Sequence, residues 1–225
     1  MYEELKYWYL RDHKLFWTLS MSQIKQLCII TGFKKAKKGD VIYFSSSDLP
    51  RIFLLKKGNI KIVSVDEDGN ETIKEILQKG DLFGELSLES DFEVNEYAKV
   101  LTDEVIICSF LLSDFENLLV KNPTLALSYT KFVGLKMKRF KNSYSNLVSK
   151  DAKSRLLSFL IDWAKREGTF DGTKVTLTNY LTQADIAQII CTSRQTATLL
   201  MNELEENNLI HYNRKEIIID NIEKL

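Results

Sequence analysis

Between Lys37 and Phe110 the chain is punctuated by turn signals at roughly ten-residue intervals. They are Lys37-Lys38-Gly39-Asp40, Lys57-Gly58-Asn59, Asp66-Glu67-Asp68-Gly69-Asn70 and Lys79-Gly80-Asp81. The runs between them, Val41–Phe44, Ile52–Leu55, Ile60–Val65 and Ile73–Leu77, are short and rich in β-branched and aromatic residues. Tyr97–Leu101 and Val105–Phe110 add a last pair. Strands at this spacing predict an all-β barrel or jelly roll. Asp68-Gly69-Asn70 predicts a hairpin, because glycine tolerates the positive φ of a tight turn. Residues 1–30 read as helical.

At Ser113 the hydrophobic period switches. Ser113 and Glu116 have capping-box spacing, in which each side chain satisfies a free N–H at a helix start. Asn122-Pro123 opens a second helix, with proline at its preferred first position. That helix is predicted to run to Val148, interrupted only by Gly134. Ala126, Thr130, Val133, Met137, Phe140, Tyr144 and Leu147 follow alternating 4-3 spacing, which predicts a dimer seam. The same stripe also fits a helix buried within a monomer. Leu125, Tyr129, Phe132 and Leu135 lie on another flank, suited to packing against the β domain.

Beyond Lys150 the expected order is an amphipathic helix over Ala152–Arg166 ended by Gly168, a strand at Lys174–Leu177, two short helices, and a hairpin pairing Ile210–Tyr212 with Ile217–Ile219. Leu156, Leu157, Phe159, Leu160 and Trp163 are the first helix's inward positions.

Composition removes whole classes of function. The chain has 225 residues, with 31 basic and 31 acidic side chains. Residues 1–113 hold 15 basic and 18 acidic residues, residues 114–148 hold 6 and 2, and residues 149–225 hold 10 and 11. No domain is basic enough to signal nucleic acid by charge alone. Cys28, Cys108 and Cys191 are scattered, which argues against disulfides and zinc. His13 and His211 stand at opposite ends, so neither a metal, a cofactor nor a Ser-His-Asp or Cys-His catalytic set is expected, and the chain is not read as an enzyme. No stretch approaches the roughly 18 apolar residues of a membrane span. The start has no signal-peptide pattern, so a cytoplasmic protein is expected.

The informative stretch is Leu181–Ile210, LTQADIAQIICTSRQTATLLMNELEENNLI. Thr182, with Asp185 three residues on, caps a short helix whose inner face is Ile186, Ala187 and Ile190. Cys191-Thr192 makes a turn, with Cys191 as a small packed residue, and Ser193 caps a second helix. Ala197, Leu200, Met201 and Leu204 face the core, leaving Arg194, Gln195, Thr196 and Thr198 near the exposed start. A helix-turn-helix needs this arrangement to place polar residues in the major groove. Arg grips guanine with two hydrogen bonds and Gln does so with adenine. The hairpin tipped by Arg214 and Lys215 is a wing able to reach phosphate. A three-helix subdomain with a purely structural role would show much of the same pattern.

These motifs together resemble the Crp-Fnr family of bacterial transcription regulators over nearly the whole chain. Thr192-Ser193-Arg194-Gln195-Thr196 is similar to the start of the family's recognition helix, and Glu203-Leu204-Glu205 with Asn208-Leu209-Ile210 to its end. Gly39-Asp40, Gly58, Asp68-Gly69 and Gly80-Asp81-Leu82-Phe83-Gly84-Glu85-Leu86 resemble its sensor domain. The resemblance implies an α+β chain. It comprises a β jelly-roll sensor over 1–113, a dimerisation helix over 114–148, and a winged helix-turn-helix over 149–225. It also implies a homodimer on an inverted repeat of double-stranded DNA, with RNA polymerase as a partner. Carried across, Arg194 and Gln195 read bases. Ser193, Thr196, Thr182, Gln183, Lys215 and the amides of Ala152 and Lys153 hold phosphates, the last two at a helix start. Two departures follow: Gln195 stands where many members have Glu, and Leu199 where many have a further Arg. An altered half-site is expected, held by one base or phosphate interaction fewer.

In cyclic-nucleotide-binding members, Gly-Glu-Leu is followed about ten residues later by a phosphate-holding Arg. Gly84-Glu85-Leu86-Ser87 is present, but the Arg position falls at Asn95 or Glu93, and no Arg occurs between Arg51 and Arg139. Glu89, Asp91, Glu93 and Glu96 surround the site. An Arg–phosphate contact contributes about 1.5–3 kcal/mol, so affinity should fall tenfold or more without it. Phe140 and Lys141 stand where cyclic-AMP sensors place an adenine-binding Thr-Ser pair, and Lys141 is a candidate replacement cation. Cys28 alone does not furnish an iron–sulfur sensor, nor His13 and Cys28 a haem one. The expectation is a sensor with an unknown effector or none. The alternatives are a cyclic-AMP regulator with a substituted phosphate site, or a ligand-binding module regulating a protein partner.

Overall fold

The strands expected from the turn spacing pair into two antiparallel sheets. The structure, a computed structural model, describes residues 10–11, 13, 15–30, 32–43, 50–84 and 96–225. The strands are β1 (Gly32–Ala36), β2 (Val41–Tyr43), β3 (Arg51–Lys57), β4 (Ile60–Val65), β5 (Glu71–Leu77), β6 (Leu82–Gly84), β7 (Glu96–Val100) and β8 (Val105–Leu111). One sheet has the order β1-β8-β3-β6 and the other β2-β7-β4-β5. Among the described residues, this two-sheet order of eight strands is that of a jelly roll. The Asp68-Gly69-Asn70 hairpin joins β4 to β5, with Gly69 at φ +82° and Asp66 Oδ1 accepting from the amides of Asp68 and Asn70.

Side-chain alternation divides the core in two. Leu55, Phe83, Val105 and Ile107 of the first sheet meet Ile42, Ile60, Ile62, Leu77, Ala98 and Val100 of the second. On the other face of the first sheet, Ile52, Leu54, Cys108 and Phe110 pack with Phe16, Ile24, Leu27, Phe115 and Leu125. Coverage of both faces explains why β8 reads as a continuous apolar run rather than an alternating one.

The helices of this part are α1 (Met21–Ile30), α2 (Leu112–Lys121) and α3 (Pro123–Ser149), the last of 27 residues. The expected capping box at Ser113 and Glu116 does not form. Helix α2 begins at Leu112, straight from β8, without a side-chain cap, and the Leu112 amide donates to the carbonyl of Pro50 at 2.9 Å. The backbone just before β3 thus fixes the helix start one residue ahead of the expected serine cap. On α3, Leu125 is buried and Tyr129 and Phe132 pack on the core, but Leu135 is 58% exposed, a correction to its expected packing.

The chain divides into two compact units, Met1–Lys136 and Met137–Leu225. The second contains α4 (Ala152–Glu167), β9 (Thr169–Asp171), β10 (Lys174–Thr178), α5 (Gln183–Ile189), α6 (Arg194–Glu206), β11 (Ile210–Tyr212) and β12 (Glu216–Ile219), with sheet order β11-β12-β10-β9. Leu156, Leu160 and Trp163 of α4 share its buried interior with Val175, Ile186, Met201 and Ile217. Leu157 and Phe159 are half-buried.

Candidate nucleic-acid interface and sensor

The α5–turn–α6 segment is fixed at every joint. Thr182 caps α5 in a complete capping box with the buried Asp185: its hydroxyl accepts from the Asp185 amide at 3.1 Å and donates to Oδ2 at 2.7 Å. Gln183 follows, with its Oε1 buried and unpartnered. The turn is closed by Thr192 N donating to Ala187 O at 2.9 Å, and Cys191 sits at φ +51°. An L-residue rarely adopts that conformation, and only surrounding structure holds it there. Cys191 is exposed, a correction to its expected packing, because the left-handed turn leaves its side chain outside the core. Cys108, by contrast, is buried in β8.

Arg155 on α4 supplies the hold. Its Nε donates to Ile190 O at 2.7 Å, Nη2 to Cys191 O at 3.2 Å and Nη1 to Lys150 O at 2.7 Å. Sequence reading missed this residue, because a half-exposed arginine on an amphipathic helix looks like any solvated charge.

Ser193 then caps α6, accepting from the Thr196 amide at 3.0 Å. Ala197, Met201 and Leu204 are buried and Leu200 half-buried, leaving Arg194, Gln195, Leu199 and Asn202 on the exposed face. Thr196 shares a hydroxyl contact with Ser193 at 2.9 Å. The Thr198 hydroxyl donates back to Arg194 O at 2.9 Å, so its proton is already used within the helix. Tyr212 OH donates to Asn202 Oδ1 at 2.6 Å, and burial, then the Glu205 charge, pushes that phenol above its ordinary value.

The wing is anchored as firmly. Asn213 Oδ1 accepts from the amides of Lys215 and Glu216, while Asn179 binds Lys215 O and Asn213 O at 2.8 and 2.7 Å. This presents Arg214 and Lys215 to solvent. Ala152 and Lys153 lie in the first turn of α4, where Asp151 caps the helix through Ser154 N at 2.7 Å. The hydrogen bond with Ser154 holds the Asp151 carboxyl below its ordinary range, so a negative charge occupies the helix end expected to receive phosphate. Lys153 Nζ pairs with Glu203 on α6 at 2.6 Å.

In the sensor, Gly84 closes β6 at φ +93°, and a Cβ there would lie 2.5 Å from Arg51 O. Only glycine fits that approach. Glu85, Leu86, Ser87 and Asn95 lie outside the described residues. Glu96, expected near the ligand, pairs with Lys74. Phe140 and Lys141 are exposed on α3. A cation does approach β6: Lys136 Nζ donates to Leu82 O at 3.1 Å and pairs with Glu75 at 3.3 Å. His13 is buried, with Nδ1 accepting from Leu15 N at 3.2 Å and Nε2 2.9 Å from Gly80 O, so both ring nitrogens are engaged. Among the described residues no cluster could hold a metal ion, and no helix is long and apolar enough to cross a membrane.

The family model described as "Cyclic nucleotide-binding domain" matches residues 33–122, and that described as "Crp-like helix-turn-helix domain" matches residues 154–225. The chain belongs to the Crp-Fnr family. It is a transcription regulator of that type, from a family that is not enzymatic. It is 25% identical over 188 residues to the CRP-like cAMP-activated global transcriptional regulator of Mycobacterium tuberculosis, covering 84% of each chain. It is 28% identical over 186 residues to the global nitrogen regulator of Synechococcus elongatus, covering 82% of this chain and 84% of that one. A CooA mutant from Carboxydothermus hydrogenoformans shares the fold at TM-score 0.72 and 22% identity, with 96% and 95% of the two chains covered.

Proposed function

We propose that the chain is a cytoplasmic, homodimeric regulator that docks two copies of α6 in successive major grooves of an inverted repeat. The observation carrying this reading is α6 itself. Its buried face is locked to the unit's core, while Arg194 and Gln195 stand exposed just past the Ser193 cap. That is the geometry base-edge readout needs. Arg194 and Gln195 read bases. Ser193, Thr196, Thr182, Gln183, Arg214, Lys215 and the amides of Ala152 and Lys153 lie along the phosphate path, and Thr198 stands beside them at the DNA-facing start of α6 with its proton used on Arg194 O. The proposed division is a sensor over 1–113, a dimer helix over 114–148 and a DNA-binding domain over 149–225.

The dimer seam is Thr130, Val133, Met137, Phe140, Tyr144 and Leu147. Support comes from their exposure: all six are solvent-exposed, Phe140 at 68% and Tyr144 at 63%. Water-facing aromatics in a regular stripe signal an unfilled interface. RNA polymerase is the protein partner expected at a promoter.

The sensor pocket (Gly84, Glu85, Leu86, Ser87, Asn95, Phe140, Lys141) does not respond to cyclic AMP. The family's phosphate-holding Arg has no counterpart between Arg51 and Arg139. The relatives carry different names, one cAMP-activated and one a nitrogen regulator, so membership does not select an effector. Binding-site selection on the ligand-free protein, followed by titration with and without cyclic AMP, tests both parts. An inverted repeat bound equally well in both conditions is the expected result. No repeat refutes the DNA reading. Dependence on cyclic AMP refutes the pocket reading and makes Lys141 and Lys136 the cations to replace.

A further inference from the structure

Leu199 is the one large apolar side chain on the otherwise polar exposed face of α6, and it is 62% exposed. It lies opposite the buried Ala197, Met201 and Leu204 and one turn beyond Gln195, about 6 Å further along the helix axis. We infer that Leu199 is a base-specificity residue that reads the C5-methyl group of a thymine next to the base pair met by Gln195. The inference rests on the DNA-binding reading above and deepens it.

The argument is one of chemical matching. A docking that brings Arg194 and Gln195 to base edges carries Leu199 into the same groove. Its isobutyl group neither donates nor accepts a hydrogen bond. In the major groove thymine alone presents a C5-methyl group; cytosine shows a bare C5–H beside its N4 donor, and the purines show N7 with O6 or N6. Leucine packed over a polar edge strips water from it and returns nothing, so the side chain selects against those bases as well as for thymine. The neighbours reinforce this. The Thr198 hydroxyl is turned back onto Arg194 O, and Asn202 Oδ1 is taken by Tyr212. Where the family pattern has an arginine suited to guanine, this chain therefore reads a different base instead of leaving that position unread.

The test uses the full-length protein and the operator obtained by selection. Each thymine of the half-site is replaced in turn by deoxyuridine, which removes the methyl and keeps base pairing. One thymine should be sensitive, raising Kd about fourfold in one half-site and about fifteenfold when both are changed, the size expected for one buried methyl. In Leu199→Ala the same replacement should change Kd by less than about 1.5-fold, while the remaining half-site positions keep their preferences. Leu199→Arg should move the preferred base at that position toward guanine. Wild-type protein indifferent to every methyl, or Leu199→Ala still sensitive, overturns the inference and leaves the DNA reading standing. Failure to select any inverted repeat removes both, and it shows at the selection step before any deoxyuridine is used.

Discussion

Arg155 Nε donates to the carbonyl oxygen of Ile190 at 2.7 Å, so a side chain of α4 holds the backbone turn that precedes the recognition helix. The same guanidinium binds Cys191 O and Lys150 O, which ties that turn to the segment following α3. Arg155→Ala strands three carbonyls and frees a positive-φ residue. Hydrogen bonds from a charged donor contribute about 1.5–3 kcal/mol, so destabilisation of about 2 kcal/mol and at least tenfold weaker operator binding are expected. Arg155→Lys, with one point charge in place of a planar fork, should recover only part of either loss. Urea unfolding and a DNA titration well below the transition separate the two effects. Wild-type affinity in Arg155→Ala would show that the turn holds without it.

Gly84 and Gly39 make a controlled pair, at φ +93° and +89°. A Cβ at Gly84 meets Arg51 O at 2.5 Å, whereas at Gly39 nothing lies within 4 Å. Gly39→Ala should cost only the conformational penalty, about 1–2 kcal/mol. Gly84→Ala adds overpacking against backbone and should cost about 2–4 kcal/mol. Chemical denaturation midpoints of the two variants check this, and equal midpoints would contradict it.

Val133 and Met137 are 41% and 52% exposed on the proposed seam. Val133→Glu/Met137→Glu introduces like charges facing each other across a symmetric interface and should give a monomer in sedimentation velocity. Circular dichroism should report an unchanged fold, since neither side chain is in the core. A surviving dimer would place the interface elsewhere.

The Asp151 carboxyl is held below its ordinary value by hydrogen bonds with Ser154, then by the Arg155 and Lys153 charges. The unfolded chain therefore takes up this proton at higher pH than the folded one. The cap's contribution is fully present above the unfolded value, about 3.9, and fades as pH falls through the lower folded value. The difference in melting temperature between wild type and Asp151→Ala should be constant from pH 7 to about pH 5 and shrink toward pH 3. A difference that grows on acidification would reverse the sign of the linkage.

Sequence pattern carried the architecture far but missed three strands, each for a physical reason. Strand β1, Gly32–Ala36, holds two adjacent lysines and among the described residues pairs with β8 alone, so it lacks the apolar signal of a central strand. Strand β9, Thr169–Asp171, is exposed throughout. Strand β6 is three residues long and follows the Lys79-Gly80-Asp81 turn that masked it. At the interface, cap residues and the buried face of α6 were legible because they obey local rules. What was not legible depends on distant partners: Arg155 meets Ile190 across 35 positions, and Lys153 meets Glu203 across 50. No local spacing rule encodes either pair.

The junction of α3 and α4 has an evolutionary consequence. Helix α3 ends at Ser149, and α4 starts with a cap, Asp151, and a brace, Arg155 to Lys150, that both belong to its own side of the joint. Recombination between Ser149 and Lys150 would leave α4 with every hydrogen bond of its own start. The C-terminal segment from Lys150 on is thus suited to transfer as a cassette, and the contact a new upstream helix end must supply again is the acceptor for the Lys150 amide, here Asn146 O at 3.0 Å.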